Sequence, residues 1–341
     1  MRTIETADRF GQKDLIYRDV TEAPFSVHGL LRENGRFVRL PEAVARATSE
    51  GVAGLFANTA GGRVRFATKS PYVAIHAEMS GIGKMGHFAP TGAAGFDLYA
   101  DGIFAGAFIP PYDQTDGYDA ILWLPGCRRR EITVNFPLYS NVEALYIGLA
   151  EDAPPEKAAP YRRQLPIVFY GSSITQGGCA SRPGLAYQSI LSRALDADFL
   201  NLGFSGSCKA EEAITAYLRE LEMSVFVYDY DHNAPDPDYL AATHEKLFLA
   251  LRQDRPALPV VMLSRPKFTL NEDDLRRQRI VQATFDRARA RGDENVRFLD
   301  GPALMALCGD EGTADGCHPN DLGFSSMAAA LEKTLRTLPA P

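Results

Sequence analysis

Residues 167–177 read IVFYGSSITQG. Four apolar residues run into a turn of small polar ones. A short continuous apolar run is the mark of a strand covered on both faces, as in a parallel sheet. The pattern recurs downstream, with strands expected at 199–202, 225–228, 260–263 and 296–299. Between them, helices are expected at 184–195, 211–222, 237–252 and 272–291. Asp236 can cap the helix that starts at Pro237. A last helix sets Phe324, Met327, Ala328, Leu331 and Leu335 along one stripe, the spacing of a helix laid on a sheet. Five strands alternating with helices predict an α/β domain with a parallel sheet between two helical layers.

Upstream the texture changes. Segments 63–68, 72–79, 95–100, 103–109, 131–136 and 144–149 read as short strands with turns between them. Asp101-Gly102 is a two-residue hairpin signal, because both types accept positive φ. This half predicts a β-sandwich, with one short helix at 41–49 and Trp123 in its core. The Pro- and Ala-rich stretch 153–166 reads as a semi-rigid linker. The expected organisation is therefore 1–152, a linker at 153–166, and 167–341.

Composition narrows the function. Of 341 residues, 45% are of the AVILMFWYC set, which supplies a sizeable core and excludes a disordered chain. The formal charge of −7, without a basic block, argues against nucleic acid and anionic membranes as partners. No apolar run approaches the ~18 residues of a membrane span. The N-terminal stretch lacks an apolar signal region. Five cysteines without CxxC spacing fit a reducing compartment better than a disulfide framework. A cytoplasmic protein is the expectation.

In open α/β sheets, ligands bind beyond the carboxyl ends of the strands. Four sets of small or polar residues fall there: 171–177 (GSSITQG), 201–206 (NLGFSG), 229–233 (DYDHN) and 315–319 (DGCHP). Taken singly, each has a bland reading. GSSIT can be a loop with a capping serine, His318 a neighbour of a helix cap, and Asn233 a turn-former before Pro235. Asp229, Asp231 and His232 invite a metal site, but alternate residues after a strand point opposite ways, so no metal is expected.

All four sets in chain order resemble the SGNH hydrolases, also called GDSL esterases, over residues 167–338. The resemblance implies a flavodoxin-like α/β/α fold, with Ser173 as nucleophile and Asp315 and His318 as its charge partners. Ser173, Gly206 and Asn233 would form the oxyanion hole. Two positions depart from the usual wording: Ser172 stands at the acidic position of the first block, and His232 replaces the glycine before Asn233. The segment GFDLY at 95–99 is similar to the GxDLY domain that precedes such hydrolases in some bacterial proteins. Together these imply a serine esterase for small acyl groups, acetylated carbohydrate or polyol foremost, with no cofactor.

Elementary chemistry supports the same set. A serine hydroxyl is a weak nucleophile and needs a base within hydrogen-bond reach. An imidazole titrates near neutral pH and suits that task. A carboxylate three residues earlier can fix its tautomer. Because position 175 is Thr, the segment is not the GxSxG elbow of α/β-hydrolases.

Four further expectations concern the surroundings. Arg265, after the fourth strand, contacts a polar leaving group or is an ordinary surface arginine. The Gly-rich segment 81–95 is longer than a usual hairpin connection. It either walls the Ser173 cleft, with Lys84 or His87 on the substrate alcohol, or is a surface loop. Cys179, Cys208 and Cys317 should lie near the site, the first two beside each other. His244 is a surface or satisfied residue. Two rival functions stand beside the esterase: a glycan-binding module on a degenerate hydrolase scaffold, against which the intact Ser, Gly, Asn, Asp and His speak, and a metallohydrolase using Asp229, Asp231 and His232. The acyl group, the alcohol and a homo-oligomeric state are left open.

Overall fold

The computed structural model describes residues 3–4 and 10–338. The chain divides into two compact units. Residues 1–39, 57–161 and 181–184 form the first, and residues 40–56, 162–180 and 185–341 form the second.

The first unit is antiparallel. Its strands include Leu15–Asp19 (β1), Ser26–His28 (β2), Arg63–Thr68 (β3), Tyr72–Ser80 (β4), Phe96–Ala100 (β5), Ile103–Phe108 (β6), Gly117–Trp123 (β7), Arg130–Asn135 (β8) and Asn141–Ala150 (β9). One sheet runs Thr3–Ile4, β1, β9, β4, β7, and the other runs β2, β3, β8, β5, β6. Val64, Phe66, Phe96, Leu98, Ile132 and Val134 from the second sheet bury against Val73, Ile75, Ile147 and Leu149 from the first. These positions alternate along their strands, so each sheet turns one face inward, as a sandwich requires. The β5–β6 hairpin turns at Asp101 and Gly102 with φ of 53° and 78°, the conformation that this residue pair favours.

The second unit holds the parallel sheet. Its strands are Arg163–Gly171 (β10), Ala197–Gly203 (β11), Val225–Asp229 (β12), Val260–Leu263 (β13) and Val296–Leu299 (β14). They lie in the order β11, β10, β12, β13, β14, all parallel. Written by sequence rank this is 2-1-3-4-5, the flavodoxin-like order, whose switch point lies between the first and third strands. On one side Tyr187–Leu195 packs on Asp321–Thr337; on the other Glu212–Glu220, Pro237–Asp254 and Glu272–Ala290 pack in sequence. The stripe from Phe324 to Leu335 is buried as its spacing predicts. Asp236 caps the helix at Pro237 by accepting the Tyr239 N–H at 2.8 Å. Among the described residues, no helix is long and apolar enough to cross a membrane.

Three expectations are corrected. The helix expected at 41–49 is Glu42–Thr48 and is followed by a second helix, Glu50–Leu55. Both belong to the second unit, where Gly51 lies so close to Ser207 that a Cβ would sit 2.2 Å from its hydroxyl. The stretch 153–166 is more structured than the semi-rigid linker expected: Glu156 exchanges backbone hydrogen bonds with Ala67, and β10 already starts at Arg163. Trp123 is not core. It ends β7, is 59% exposed, and meets Tyr72 edge-on with ring centroids 5.3 Å apart.

Candidate active site

The turn that carries Ser173 begins where β10 ends. Gly171 precedes it for a steric reason: a Cβ there would lie 1.7 Å from Asp229 Oδ1 and 2.3 Å from Thr175 Oγ1. Asp229, at the end of β12, can therefore reach under the turn. Its Oδ1 accepts the Ser172 N–H at 3.3 Å and the Thr175 hydroxyl. The neighbouring strand contributes Asn201, whose side-chain amide donates to the Thr175 carbonyl at 2.7 Å, as does that of Gln188. The turn is held from three elements.

The two serines do different work. Ser172 is fully buried, and its Oγ accepts the Ile174 N–H at 3.2 Å, so it caps the helical turn Ser173–Gln176. Ser173 Oγ instead lies 2.9 Å from His318 Nε2. The other ring nitrogen, Nδ1, lies 2.8 Å from Asp315 Oδ2. Asp315 Oδ1 accepts the backbone N–H groups of Cys317 at 3.0 Å and His318 at 2.7 Å. Partial burial pushes the Asp315 carboxyl up, but these three bonds to His318 and Cys317 outweigh it and hold the group at about 2. An ionised Asp315 accepts a hydrogen bond from Nδ1–H, which keeps the proton on Nδ1 and leaves Nε2 as the acceptor facing Ser173. Residues 145 positions apart thus meet because β10 and the last loop end on one sheet edge. The Cys179 N–H donates to the Pro319 carbonyl at 3.1 Å and ties the two loops together.

Gly206 has a φ of 66°, with open space where a Cβ would stand. A side chain would strain the backbone there. Asn233 is buried, and its amide nitrogen donates to the Phe204 carbonyl at 3.0 Å. That bond uses one of two amide hydrogens and ties the third block to the second.

Asp229, Asp231 and His232 do not converge. Asp229 supports the Ser173 turn, Asp231 Oδ2 accepts the Arg265 N–H at 3.0 Å, and His232 Nδ1 faces Cys317 Sγ at 4.0 Å. Burial pushes the Asp229 carboxyl up to about 7 and that of Asp231 up to about 6. Burial, with Arg265 and Lys267 nearby, pushes the His232 imidazole down to about 3, so it is neutral. Arg265 is not a displayed surface arginine: its guanidinium bonds Asp274 at 2.8 Å and Asp273 at 3.3 Å.

Lys84 and His87 lie in the first unit, within the connection between β4 and β5. Burial, with Asp315 and Cys317 beside it, pushes the Cys179 thiol up to about 12. Cys208 is also buried, with its Sγ 3.4 Å from the Leu202 carbonyl. Both are inert thiols rather than nucleophiles. His244 is buried and satisfied, stacked on Tyr228 with Nδ1 at 2.9 Å from Thr284 Oγ1.

Sequence reading missed one cluster. Asp97, the acidic residue of GFDLY, is fully buried and accepts from Asn135 at 2.8 Å, Arg182 at 2.9 Å and the Gly184 N–H at 2.8 Å. Arg182 also bonds the Tyr99 hydroxyl at 2.6 Å and lies over the Phe104 ring at 3.7 Å. The motif thus serves to hold residues 181–184, which follow the GSSITQG block in sequence. An acid in an otherwise apolar strand was the available signal that a partner exists.

Residues 164–336 match the model of the GDSL-like lipase/acylhydrolase family, and residues 15–154 match that of the GxDLY N-terminus of SGNH-hydrolase-type esterases. No curated protein matches the sequence. Among solved structures, a protein from Bacteroides ovatus described as GDSL-like lipase is 30% identical, with a TM-score of 0.84 over 94% of this chain and 98% of its own. A salicylyl-acyltransferase from a tetracycline biosynthetic pathway is 20% identical, with a TM-score of 0.79 over 97% and 100%. An acetyl xylan esterase from Butyrivibrio proteoclasticus is 13% identical, with a TM-score of 0.62 over 94% and 98%. The last two likenesses concern the fold.

Proposed function

Since this chain belongs to the GDSL-like lipase/acylhydrolase family, we propose that it is a serine esterase that hydrolyses small acyl esters through an acyl-enzyme on Ser173. The observation that carries this reading is the continuous chain from Ser173 Oγ to His318 Nε2 and from His318 Nδ1 to Asp315, at 2.9 and 2.8 Å. Oγ attacks the ester carbonyl carbon while its proton passes to Nε2. The carbonyl oxygen becomes an oxyanion, which the N–H groups of Ser173 and Gly206 and the amide of Asn233 receive. Collapse breaks the bond to the alkoxide, which takes the proton from Nε2. Water then repeats the cycle and frees the acid.

Acetyl is the proposed acyl group and a carbohydrate or polyol the proposed alcohol. The fold shared with an acetyl xylan esterase supports this choice. A second reading, transfer of the acyl group to an alcohol, has support from the fold shared with a salicylyl-acyltransferase. The two readings differ only in what attacks the acyl-enzyme. The assembled chain of three residues weighs against a scaffold that has lost its chemistry. The scattered partners of Asp229, Asp231 and His232 weigh against a metallohydrolase.

The test is product analysis with acetylated xylo- and manno-oligosaccharides beside aryl esters of two to twelve acyl carbons, with and without a glycerol acceptor. Free acetate from the sugar esters supports hydrolysis, and acetyl-glycerol supports transfer. Turnover that grows with acyl length would contradict the small-acyl reading.

A further inference from the structure

Asn233 sits in the short loop between β12 and the helix Pro237–Asp254. The loop folds as a tight turn, in which the N–H groups of Asn233 and Ala234 both donate to the Tyr230 carbonyl, at 2.9 and 3.2 Å. Pro235 brings no N–H. The carbonyls of Asp231, Ala234 and Pro235 therefore need donors from outside the turn, because a buried carbonyl without one is unfavourable.

One side chain from another helix serves all of them. Arg277 lies in the second turn of Glu272–Ala290 and is 4% exposed. Its Nη1 donates to the Asp231 carbonyl at 2.7 Å and the Ala234 carbonyl at 3.0 Å, and its Nη2 to the Pro235 carbonyl at 3.5 Å. Arg265 adds a bond from Nη2 to the Asp231 carbonyl at 3.4 Å. The carbonyls held by Arg277 lie on both sides of Asn233. The guanidinium plane is fixed in turn, since Nε donates to Asp273 Oδ2 at 2.8 Å. Such a group presents five donors in a rigid fork, which an ammonium cannot reproduce. The Asn233 amide spends one hydrogen on the Phe204 carbonyl at 3.0 Å and has a second to offer. Where that second hydrogen points depends on the backbone that carries it. An oxyanion donor works at about 2.7–3.1 Å from the oxygen, and a misplacement of about 1 Å can cost roughly 10²-fold in rate.

We propose that Arg277 is a positioning residue for the oxyanion hole, which aims the free Asn233 amide hydrogen by clamping the carbonyls on either side of it. The proposal rests on the serine-esterase reading of Ser173. The test is a double-mutant cycle on the full-length protein, with kcat and KM measured on an aryl acetate. Arg277→Lys keeps the charge but not the fork, and should lower kcat about 10- to 100-fold with KM within about threefold. Asn233→Ala should lower kcat about 10²–10³-fold. The double variant should be no slower than Asn233→Ala alone, because Arg277 acts through that amide. The acid limb of the pH profile should not move, since His318 and Asp315 are untouched. Arg276→Lys, at an exposed position on the same helix, is the control and should keep the wild-type rate. Thermal melts check folding. Should Arg277→Lys fail to fold, Asp273→Ala frees Nε at a half-exposed site, and its smaller loss should likewise vanish in the Asn233→Ala background. Losses that multiply, a folded Arg277→Lys with unchanged kcat, or Asn233→Ala without loss would overturn the proposal while the esterase reading stands. A wild-type protein without turnover on any ester would refute that reading, and this role with it.

Discussion

Replacing Arg182 by Ala should destabilise the first unit far more than removing an arginine of similar pairing elsewhere. Arg182 and Asp97 lie 2.9 Å apart, with side-chain exposures of 17% and 0%. Asp97 would keep its bonds from Asn135 and the Gly184 N–H, but its carboxyl, which burial already pushes up, would lose its counter-ion and pay either for a buried charge or for protonation. Removing one partner of a buried pair costs about 3–5 kcal/mol. The control is Arg46→Ala. Arg46 pairs with Glu42 at 2.5 Å on a helix, but its side chain is 70% exposed. Such surface pairs contribute at most about 0.5 kcal/mol. Urea titrations followed by circular dichroism would measure both. A double variant, Asp97→Asn with Arg182→Ala, should recover part of the loss because the stranded charge is gone. A change below about 1 kcal/mol for Arg182→Ala, or equal losses for the two single variants, would show that Asp97 does not depend on Arg182 as a buried partner.

Three further outcomes are expected. Ser172→Ala should lower stability by about 1 kcal/mol through loss of a cap yet retain turnover, whereas Ser173→Ala should retain stability and lose turnover; melts and ester hydrolysis separate the two. Asp315→Asn should lower kcat by about 10⁴, because an amide NH₂ in the place of Oδ2 cannot accept a hydrogen bond from Nδ1–H and favours the wrong tautomer, with rates on an aryl acetate as the measurement. The third concerns Asp229, whose carboxyl is held at about 7 by burial. Its unfolded value is near 3.9. The native state therefore keeps a proton that the unfolded chain releases, and stability falls as pH rises from about 4 to about 7. Asp229→Asn should flatten that decline by a few kcal/mol, read as urea midpoints at several pH values; an unchanged slope would contradict the assignment.

The second unit was legible because its signals are local. Short apolar runs, a cap with proline behind it, and a stripe at helical spacing each report their own element. The five parallel strands and the last helix follow directly. The first unit is harder to read. Gly117–Trp123 pairs with β4 along its whole length, yet its residues are mostly half-buried, so no clean alternation marks it. Trp123 shows the consequence: it is expected in the core, and its place at the end of β7 leaves it 59% exposed. The site residues were legible as types in chain order, but their mutual distances belong to the sheet order. Asp229 and Asp97 were not legible in their observed roles. Asp229 acts under a neighbouring strand's turn, and Asp97 is satisfied by Arg182, 85 positions away.

Incubation with a fluorophosphonate followed by intact-mass and peptide analysis shows directly whether Ser173 is the activated nucleophile. The reagent bonds only to a serine whose hydroxyl is activated by a base. One adduct per chain is expected, on Ser173, absent from Ser173→Ala and slowed in Asp315→Asn. No adduct on the folded protein, or an adduct on Ser172 or any other serine, would contradict it.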